Sequence, residues 1–457
     1  MSPLPHDFLL EMNALFGPDE AGALCRALEG APCVSLRLNP GKPGAAPPAD
    51  GAVPWCTEGR YLSGRPAFTF DPLLHAGCYY VQEASSMFIE QAYRQMDTPP
   101  RRLLDLCAAP GGKSTLWRSL MPAGTLLVAN EPVRTRAQVL AENLSKWGQP
   151  DVVVTQALPE RFAALPGFFD VVAADVPCSG EGMFRKDPAS RDEWTAAAPA
   201  RCAERQFRIV SDVWPALRQG GFLVYSTCTF NRQEDEDNVV RICEKLGAEP
   251  VEVPADTAWG VVGDVTGQGL PVCRFLPHRA RGEGFFLALL RKTAACPDAG
   301  NGRRKRRAGS GGIRTELRGA ARWLCDKGEF QLVQTSPERV AAVRAALADD
   351  VARVAGAVGV LSAGVPVAEL RGRKAAPAHE LALSPLLAPD AFPRAELDLP
   401  TALAYLRREA VTLPPDVPRG HVVATFGGHA LGFLNQLGTR ANNLYPAEWR
   451  IRKQTIE

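Results

Sequence analysis

The sequence predicts an α/β fold, in which helices cover both faces of a parallel sheet. From position 102 to about 291, apolar runs of four to seven residues alternate with longer helical stretches. Near-continuous apolar strands separated by helices are typical of a parallel sheet that is buried on both faces. A glycine-rich turn after the first of these runs supports the same fold. The predicted strands are Leu103–Cys107, Thr125–Asn130, Val152–Thr155, Val171–Asp175, Phe222–Ser226 and Phe285–Leu290.

Length and composition indicate a water-soluble protein of several domains. The chain has 457 residues, of which 46% are hydrophobic and 22% charged, close to the globular average. The longest charge-free apolar stretch, Val354–Ala368, is too short to span a bilayer. The first residues lack the pattern of a secretory signal, so we expect a cytoplasmic protein. The 12 cysteines include no C-x-x-C pair, which argues against a metal site.

Shifts in composition divide the chain into five predicted segments. Proline and glycine are concentrated between positions 41 and 51, and again around a run of five basic residues, Arg303–Arg307. The segments are an N-terminal extension (1–70), the α/β domain (71–292), a flexible basic linker (293–312), an α+β module (313–400) and a small β-rich module (401–457).

The positive charge lies in the C-terminal third of the chain. Residues 293–457 contain 23 Lys/Arg against 16 Asp/Glu, a net charge of +7, so the remainder carries −5. The basic run Arg303–Arg307 is either a solvated face of the linker or a contact for a polyanion. Both interpretations stay open at this point.

The turn after the first predicted strand indicates a cofactor site. In Leu104–Leu116 the strand runs into Gly111 and Gly112 and then into a helix, whose amino terminus carries a positive dipole. The end of this segment resembles a phosphate-binding P-loop, but that motif requires glycine where this chain has Cys107. The P-loop interpretation therefore fails. Asp105 is either part of the site or an ordinary carboxylate at a strand end.

An acidic side chain at the end of the second predicted strand fits a nucleoside ligand. Glu131 follows Gly111 by twenty residues, a position from which a carboxylate accepts hydrogen bonds from ribose hydroxyls. The chain lacks G-x-G-x-x-G at this position, so a dinucleotide is not indicated.

Two cysteines follow neighbouring strands and point to covalent catalysis. Cys178 comes after the fourth predicted strand and Cys228 after the fifth. Because ligands bind beyond the carboxyl ends of parallel strands, both thiols are expected beside the cofactor. Lys113 and the helix after Cys228 supply positive potential, which lowers the pKa of a nearby thiol.

These motifs resemble the Sun-type RNA cytosine-5 methyltransferases, and more narrowly the RsmF-like 16S ribosomal RNA methyltransferases. The resemblance rests on Cys107–Lys113, Pro177-Cys178 and Thr227-Cys228, with further matches at Gly77–Ser86, Gly180–Lys186 and Asn442–Pro446. It implies a Rossmann-like S-adenosylmethionine-dependent methyltransferase core, with an N-terminal RNA-binding extension and a C-terminal PUA-like RNA-binding barrel. The implied substrate is RNA, most simply 16S ribosomal RNA in the small subunit.

The resemblance also implies roles for individual residues. S-adenosylmethionine would be bound by Cys107, Ala108, Ala109, Pro110, Gly111, Gly112, Lys113, Glu131 and Asp175. Cys228 would be the nucleophile and Cys178 would help to release the product. Asp175 would contact the edge of the cytosine ring, with Lys113 orienting it.

One segment departs from the family pattern, and two other functions would leave different marks on the motifs. The family usually has an acidic residue after the third strand, but here the sequence is Gln156-Ala157-Leu158-Pro159, so adenine contact would pass to Gln156 or to the backbone. A DNA cytosine-5 methyltransferase would use its Pro-Cys thiol as nucleophile. An RNA-binding assembly factor with a degenerate core would have lost a motif cysteine or the glycine turn, and both are intact.

Overall fold

The computed structural model describes residues 3–44, 46–296, 313–326 and 328–453. The predicted basic run Arg303–Arg307 therefore lies outside the described residues. No described helix is long and apolar enough to cross a membrane.

The N-terminal segment combines a helical pair with a small antiparallel sheet, in the strand order β2-β3-β1-β4. Its elements are α1 (His6–Phe16), α2 (Pro18–Leu28), β1 (Val34–Leu38), β2 (Gly51–Ala52), β3 (Gly59–Leu62), α3 (Pro72–Ala76), β4 (Tyr79–Tyr80) and α4 (Ile89–Arg94). Helix α1 packs Phe8 against Phe184 and Trp194, with ring centroids 5.1 and 6.1 Å apart. The first helix thus supports a loop of the following domain.

The central domain alternates strands and helices. Its elements are β5 (Arg102–Asp105), α5 (Gly112–Leu120), β6 (Leu126–Asn130), α6 (Arg134–Trp147), β7 (Val152–Thr155), β8 (Phe169–Asp175), α7 (Ala189–Glu193), α8 (Ala198–Val213), β9 (Leu217–Thr227), α9 (Glu236–Leu246), β10 (Ala248–Val251), β11 (Val272–Phe275) and β12 (Phe285–Lys292). Helix α6 illustrates why the sequence folds this way. It buries Ala137, Leu140, Leu144 and Trp147, which lie three or four residues apart and so share one face.

The C-terminal residues form two further sheets and one strand of the central sheet. Their elements are α10 (Thr315–Arg318), β13 (Phe330–Ser336), β14 (Arg339–Arg344), α11 (Ala348–Ala357), β15 (Val360–Ala363), β16 (Val365–Arg371), β17 (Lys374–Pro377), α12 (His379–Ala382), β18 (Arg394–Glu396), α13 (Leu399–Leu406), β19 (Gly420–Phe426), β20 (His429–Gln436) and β21 (Ala441–Asn443). The two sheets have the orders β13-β14-β16-β17 and β18-β19-β20-β21.

The central sheet has nine strands within the described residues, in the order β10-β12-β9-β8-β5-β6-β7-β15, with β11 paired to β12. Strands β5 to β9 are mutually parallel, as the sequence predicts. Strand β12, which the sequence analysis placed in the same parallel set, runs antiparallel to β9. The chain enters β12 directly from its antiparallel neighbour β11. It therefore lacks the crossover helix that a parallel strand would need at this position.

Strand β15 was not predicted and comes from the segment assigned to a separate α+β module. It pairs antiparallel with β7 and covers what would otherwise be an edge of the central sheet. The segment boundaries drawn from the sequence stay a prediction. The structure nevertheless shows that the C-terminal residues complete the central sheet.

The apolar core follows from this architecture. One buried cluster covers each face of the central sheet, and Leu347, Val354 and Val358 of the C-terminal segment belong to one of them. A third cluster joins the N-terminal sheet to the last strands of the chain, through residues such as Leu36, Tyr79 and Tyr405. The carboxyl edge of the parallel strands stays free for a site.

Candidate active site

The predicted site residues meet at one edge of the central sheet. The glycine turn follows β5, Glu131 follows β6, Asp175 ends β8 and Cys228 follows β9. These four strands are neighbours and parallel, so their carboxyl ends lie side by side, where open α/β sheets bind ligands.

The glycine turn is held in one conformation by its surroundings. Gly111 has φ +116°, in a region that favours glycine, and a Cβ there would also lie 3.3 Å from Leu140 Cδ1. The amide nitrogen of Ala108 donates to the carbonyl of Asn130 over 2.9 Å. Helix α5 starts at Gly112 without a side-chain cap among the described residues, so its first N–H groups have no capping side chain as acceptor.

Asp105 joins the first strand to the helix that follows it. Its carboxylate accepts a hydrogen bond of 2.6 Å from Ser114 Oγ, and burial raises the pKa of Asp105 to about 7. Burial also raises the pKa of the nearby Cys107 thiol far above its usual range. Cys107 is therefore a neutral thiol at neutral pH, whereas Asp105 changes its charge near neutral pH.

Glu131 lies at the end of β6, with a side chain only 2% exposed. Its Oε1 accepts a hydrogen bond of 3.0 Å from the amide of Val133, and its Oε2 lies 3.3 Å from the guanidinium of Arg136. A carboxylate has about four acceptor positions, so these two partners leave room for further donors. The Val133 amide and Arg136 thus hold the carboxylate in a fixed orientation.

Asp175 and Lys113 form an ion pair of 2.8 Å. Asp175 also accepts a hydrogen bond of 2.8 Å from Ser226 Oγ. Burial alone would lower the pKa of Lys113, but the charge and hydrogen bond of Asp175 outweigh it and the pKa of Lys113 is raised. The lysine therefore stays protonated and holds one carboxylate oxygen in place.

The two predicted thiols touch. Cys178 Sγ lies 2.9 Å from Cys228 Sγ, and the amide of Cys228 points at Cys178 Sγ over 3.4 Å. The hydrogen bond between the two thiols and then burial raise the pKa of Cys178 well above its usual value. The expectation that nearby positive charge lowers a thiol pKa is therefore wrong for Cys178, which stays a neutral thiol at neutral pH.

Two buried glutamates beside the thiols were missed by the sequence analysis. Glu181 and Glu234 are both fully buried and accept hydrogen bonds from the loops that carry Cys178 and Cys228. Glu234 stands in the run Arg232–Asp237, whose charges indicate a solvated helix start, and only its contacts reveal its role.

The segment after β7 offers no acidic group among Gln156–Pro159. Gln156 is exposed, and its side-chain amide lies 3.3 Å from the carbonyl of Pro132. The amide of Ala157 donates to Asn130 Oδ1. Of the two groups expected to replace the acidic residue, the Gln156 side chain is the more accessible. Among the described residues, no group of three or more side chains could hold a metal ion.

Comparison with known proteins finds relatives over most of the chain. Models of the 16S rRNA methyltransferase RsmB/F domain, the RsmF N-terminal domain and the RsmF PUA domain match residues 95–291, 4–84 and 392–451. Ribosomal RNA small subunit methyltransferase F of Escherichia coli O139:H28 is 30% identical over 421 residues, which cover 87% of this chain and 84% of that protein. The chain belongs to the RsmF family of 16S ribosomal RNA methyltransferases.

Other relatives match over shorter spans. The methyltransferase F of an Enterobacter species is 37% identical, but the match covers 53% of this chain and about half (51%) of that protein. NSun6 of Pyrococcus horikoshii, solved with SFG, shares the fold at 20% identity. Its TM-score is 0.55, with 64% of this chain and 99% of that chain covered. A methyltransferase homologue of the same organism gives a TM-score of 0.54 at 26% identity, with 62% and 94% covered.

These comparisons confirm the predicted fold class, including a Rossmann-like methyltransferase core and a C-terminal PUA-type module. S-adenosyl-L-methionine is the cofactor of this family, as the resemblance implied. The family is one of ribosomal RNA methyltransferases, which fits the RNA substrate expected from the sequence.

Proposed function

We propose that this protein transfers a methyl group from S-adenosylmethionine to carbon 5 of a cytosine in 16S ribosomal RNA, through a covalent cysteine adduct. The observation that carries the proposal is the pair of thiols, 2.9 Å apart, at the carboxyl edge of the sheet. Methyl transfer to a more nucleophilic atom needs no protein thiol. Two thiols in contact suit a reaction in which one adds to the substrate and the other assists its departure.

The residues at the edge fit the cofactor. The uncapped amino terminus of α5 suits the carboxylate of S-adenosylmethionine, and Glu131 has acceptor positions for its two ribose hydroxyls. A Cβ at Gly112 would lie 3.2 Å from Tyr80 Cε1, so a larger residue there would crowd the start of α5. When bound, the cofactor supplies the electrophilic methyl group. Cys107 to Lys113, Glu131 and Asp175 are thus the proposed cofactor residues.

The thiol of Cys228 would start the reaction. Carbon 5 of cytosine is a poor nucleophile, and addition of the Cys228 sulfur to carbon 6 turns the ring into an enamine, whose electron density lies on carbon 5. Asp175 would accept a hydrogen bond from the ring edge as N3 takes up the proton that the Cys228 thiol loses, while Lys113 holds its other oxygen. The role of Lys113 is then to fix a carboxylate, not to transfer a proton.

Cys178 would act in the second half of the reaction. After methylation the proton on carbon 5 leaves to a base, its bonding electrons form the carbon 5–carbon 6 double bond, and the bond from carbon 6 to sulfur breaks. The electron pair of that bond goes to Cys228 Sγ, which regains a proton as N3 gives up the one that it took. Cys178, a neutral thiol 2.9 Å away, donates a hydrogen bond to the departing thiolate and so favours release.

The proposed chemistry also restricts the conformation of the RNA around the target cytosine. A base stacked in a helix cannot reach thiols at a sheet edge, so the target cytosine must leave its stack. This costs least in loops or single-stranded RNA. The proposed N-terminal RNA-binding extension and PUA-type module would hold the flanking RNA.

The direct test is methyl transfer to RNA. Purified protein with labelled S-adenosylmethionine should methylate 16S ribosomal RNA, and bisulfite sequencing should show a protected cytosine that is unprotected in RNA from cells lacking this gene. A DNA oligonucleotide of the same sequence serves as a control and should stay unmodified. Label found only on another base or on ribose would contradict the proposal.

The cofactor assignment makes a separate prediction. Replacement Glu131→Ala should weaken binding of S-adenosylmethionine by about 1.5 to 3 kcal/mol, the loss typical of a hydrogen bond to a charged group. Calorimetry measures this directly. Glu204→Ala is a suitable control, because Glu204 on α8 is exposed and pairs with Arg241 on α9, and neither helix carries a proposed cofactor residue. An affinity equal to that of the parent would show the ribose assignment to be wrong.

A further inference from the structure

The two thiols lie on two loops that are cross-linked by carboxylates. The Pro-Cys loop (residues 176–184) follows β8 and the Thr-Cys loop (residues 228–235) follows β9. Each loop contributes one fully buried glutamate, Glu181 from the first and Glu234 from the second. Each glutamate accepts hydrogen bonds from the opposite loop, so the pair forms a reciprocal clamp.

Glu181 holds the backbone that follows the nucleophile. Its Oε2 accepts hydrogen bonds from the amides of Phe230 (2.9 Å) and Asn231 (3.1 Å) and from the hydroxyl of Thr229. Its Oε1 lies 3.3 Å from Trp194 Nε1. These contacts fix the chain just after Cys228.

Glu234 holds the other loop. Its Oε2 accepts from the amide of Ser179 (3.0 Å), the residue directly after Cys178, and from Gln206 Nε2 (2.6 Å). The side-chain amide of Asn231 lies 3.0 Å from Glu181 Oε1 and 2.8 Å from Glu234 Oε1, so it bridges the two carboxylates.

Burial of two carboxylates so close together is costly. Burial raises the pKa of Glu234 to about 7, and the charge of Glu181 adds to this effect. The several donors around each carboxylate offset the cost, but an apolar pair of similar size would need no such compensation. Unlike an apolar pair, these carboxylates make directed hydrogen bonds to particular backbone amides.

We propose that Glu181 and Glu234 are positioning residues that set the distance between the Cys178 and Cys228 thiols. This inference rests on the proposed function, since it assigns the clamp to the covalent step. Neither glutamate touches the substrate, and each acts through the loop it holds. Because a misplacement of 1 Å in a reacting group costs about 10²-fold in rate, a loosened clamp should slow attack on carbon 6 strongly.

The first measurement needs neither RNA nor cofactor. Diamide, a two-electron oxidant, takes two electrons and two protons from a pair of thiols and leaves a disulfide. In the parent protein, Cys178 and Cys228 should form this disulfide readily, as peptide mapping would show. In Glu181→Gln and Glu234→Gln, ring closure should be at least about 10-fold slower, because the loops no longer hold the sulfurs in contact.

The second measurement separates positioning from stability. RNA with 5-fluorocytidine at the target traps the methylated adduct, since fluorine cannot leave carbon 5 as a proton does. In a single turnover, a merely unstable variant should lower the amplitude of adduct formation, and a mispositioned thiol should lower its rate constant. We expect the rate constant to fall by about 10²-fold in both variants, with unchanged affinity for S-adenosylmethionine.

A matched control and a milder variant complete the experiment. Glu90 is also buried, accepts hydrogen bonds from the amide and hydroxyl of Thr57, and contacts neither loop, so Glu90→Gln should behave as the parent in both assays. If the glutamine variants fail to fold, Thr229→Val removes one donor to Glu181 and should show a smaller effect in the same direction.

Different results would contradict the clamp and the proposed function. Unchanged disulfide closure and an unchanged single-turnover rate constant in folded glutamine variants would overturn the clamp, even if the parent methylates RNA. If disulfide closure is slow in the glutamine variants but the parent protein does not methylate cytosine, the clamp is supported and the proposed function is contradicted.

Discussion

Replacement of Cys228 by alanine is expected to abolish methyl transfer, with a loss of about 10⁴-fold or more, as removal of a covalent nucleophile typically causes. The variant lacks the sulfur that would add to carbon 6, so no covalent RNA species should form. Replacement of Cys178 should have a different result. Cys178→Ala keeps the nucleophile but loses the hydrogen bond to the departing thiolate, so adduct should accumulate and turnover should be slow.

A denaturing gel decides between the two thiols. Each variant is incubated with S-adenosylmethionine and substrate RNA, and a protein–RNA band that survives denaturation is sought. Cys325→Ala serves as a control, because Cys325 lies in the C-terminal segment and bonds to the carbonyl of Pro385. An adduct with Cys228→Ala and none with Cys178→Ala would reverse the roles and favour the mechanism of the DNA enzymes.

A chain that ends at Lys292 is expected to lose its cooperative fold. It would lack β15, which covers the edge of β7, and would lose the buried side chains of Leu347, Val354 and Val358. Each buried aliphatic side chain contributes about 1.5 to 3 kcal/mol, so their loss costs about 5 to 9 kcal/mol. This is comparable with the whole stability of a typical domain, about 5 to 15 kcal/mol.

Calorimetry tests this expectation. The full chain should unfold in a sharp transition, and the shortened chain should show a broad one or none, with weak cofactor binding. A milder variant, Ser362→Pro, disturbs the pairing of β15 with Val154 and should lower the melting temperature without removing the segment. A shortened chain with the melting temperature and cofactor affinity of the parent would contradict the structural role of β15.

The sequence predicted the parts of the fold and site that depend on local patterns. Apolar runs located β5 to β9, and their carboxyl ends placed Glu131, Asp175 and both thiols at one edge. Strand β15 escaped prediction because Val360–Ala363 stands in a long apolar run, where periodicity does not separate strand from helix. Its partner β7 is about two hundred residues earlier in the chain.

The clamp escaped prediction for a different reason. A glutamate in a sequence is most often exposed, and neither Glu181 nor Glu234 has a spacing that marks it as buried. Three of their donors, the amides of Ser179, Phe230 and Asn231, belong to the backbone of the opposite loop, and residue identity does not reveal a backbone contact. Only the three-dimensional arrangement shows that these carboxylates face each other's loop.

The shared core between the two ends of the chain has a consequence for the order of folding during synthesis. Leu36, Phe68 and Tyr79 leave the ribosome early, but they pack with Tyr405, Leu434 and Tyr445, which emerge more than three hundred residues later. Contacts between such distant positions form slowly, because a long loop must close first. The apolar face of the N-terminal sheet therefore stays uncovered for most of translation. It is buried only after the C-terminal residues of this cluster have been synthesised.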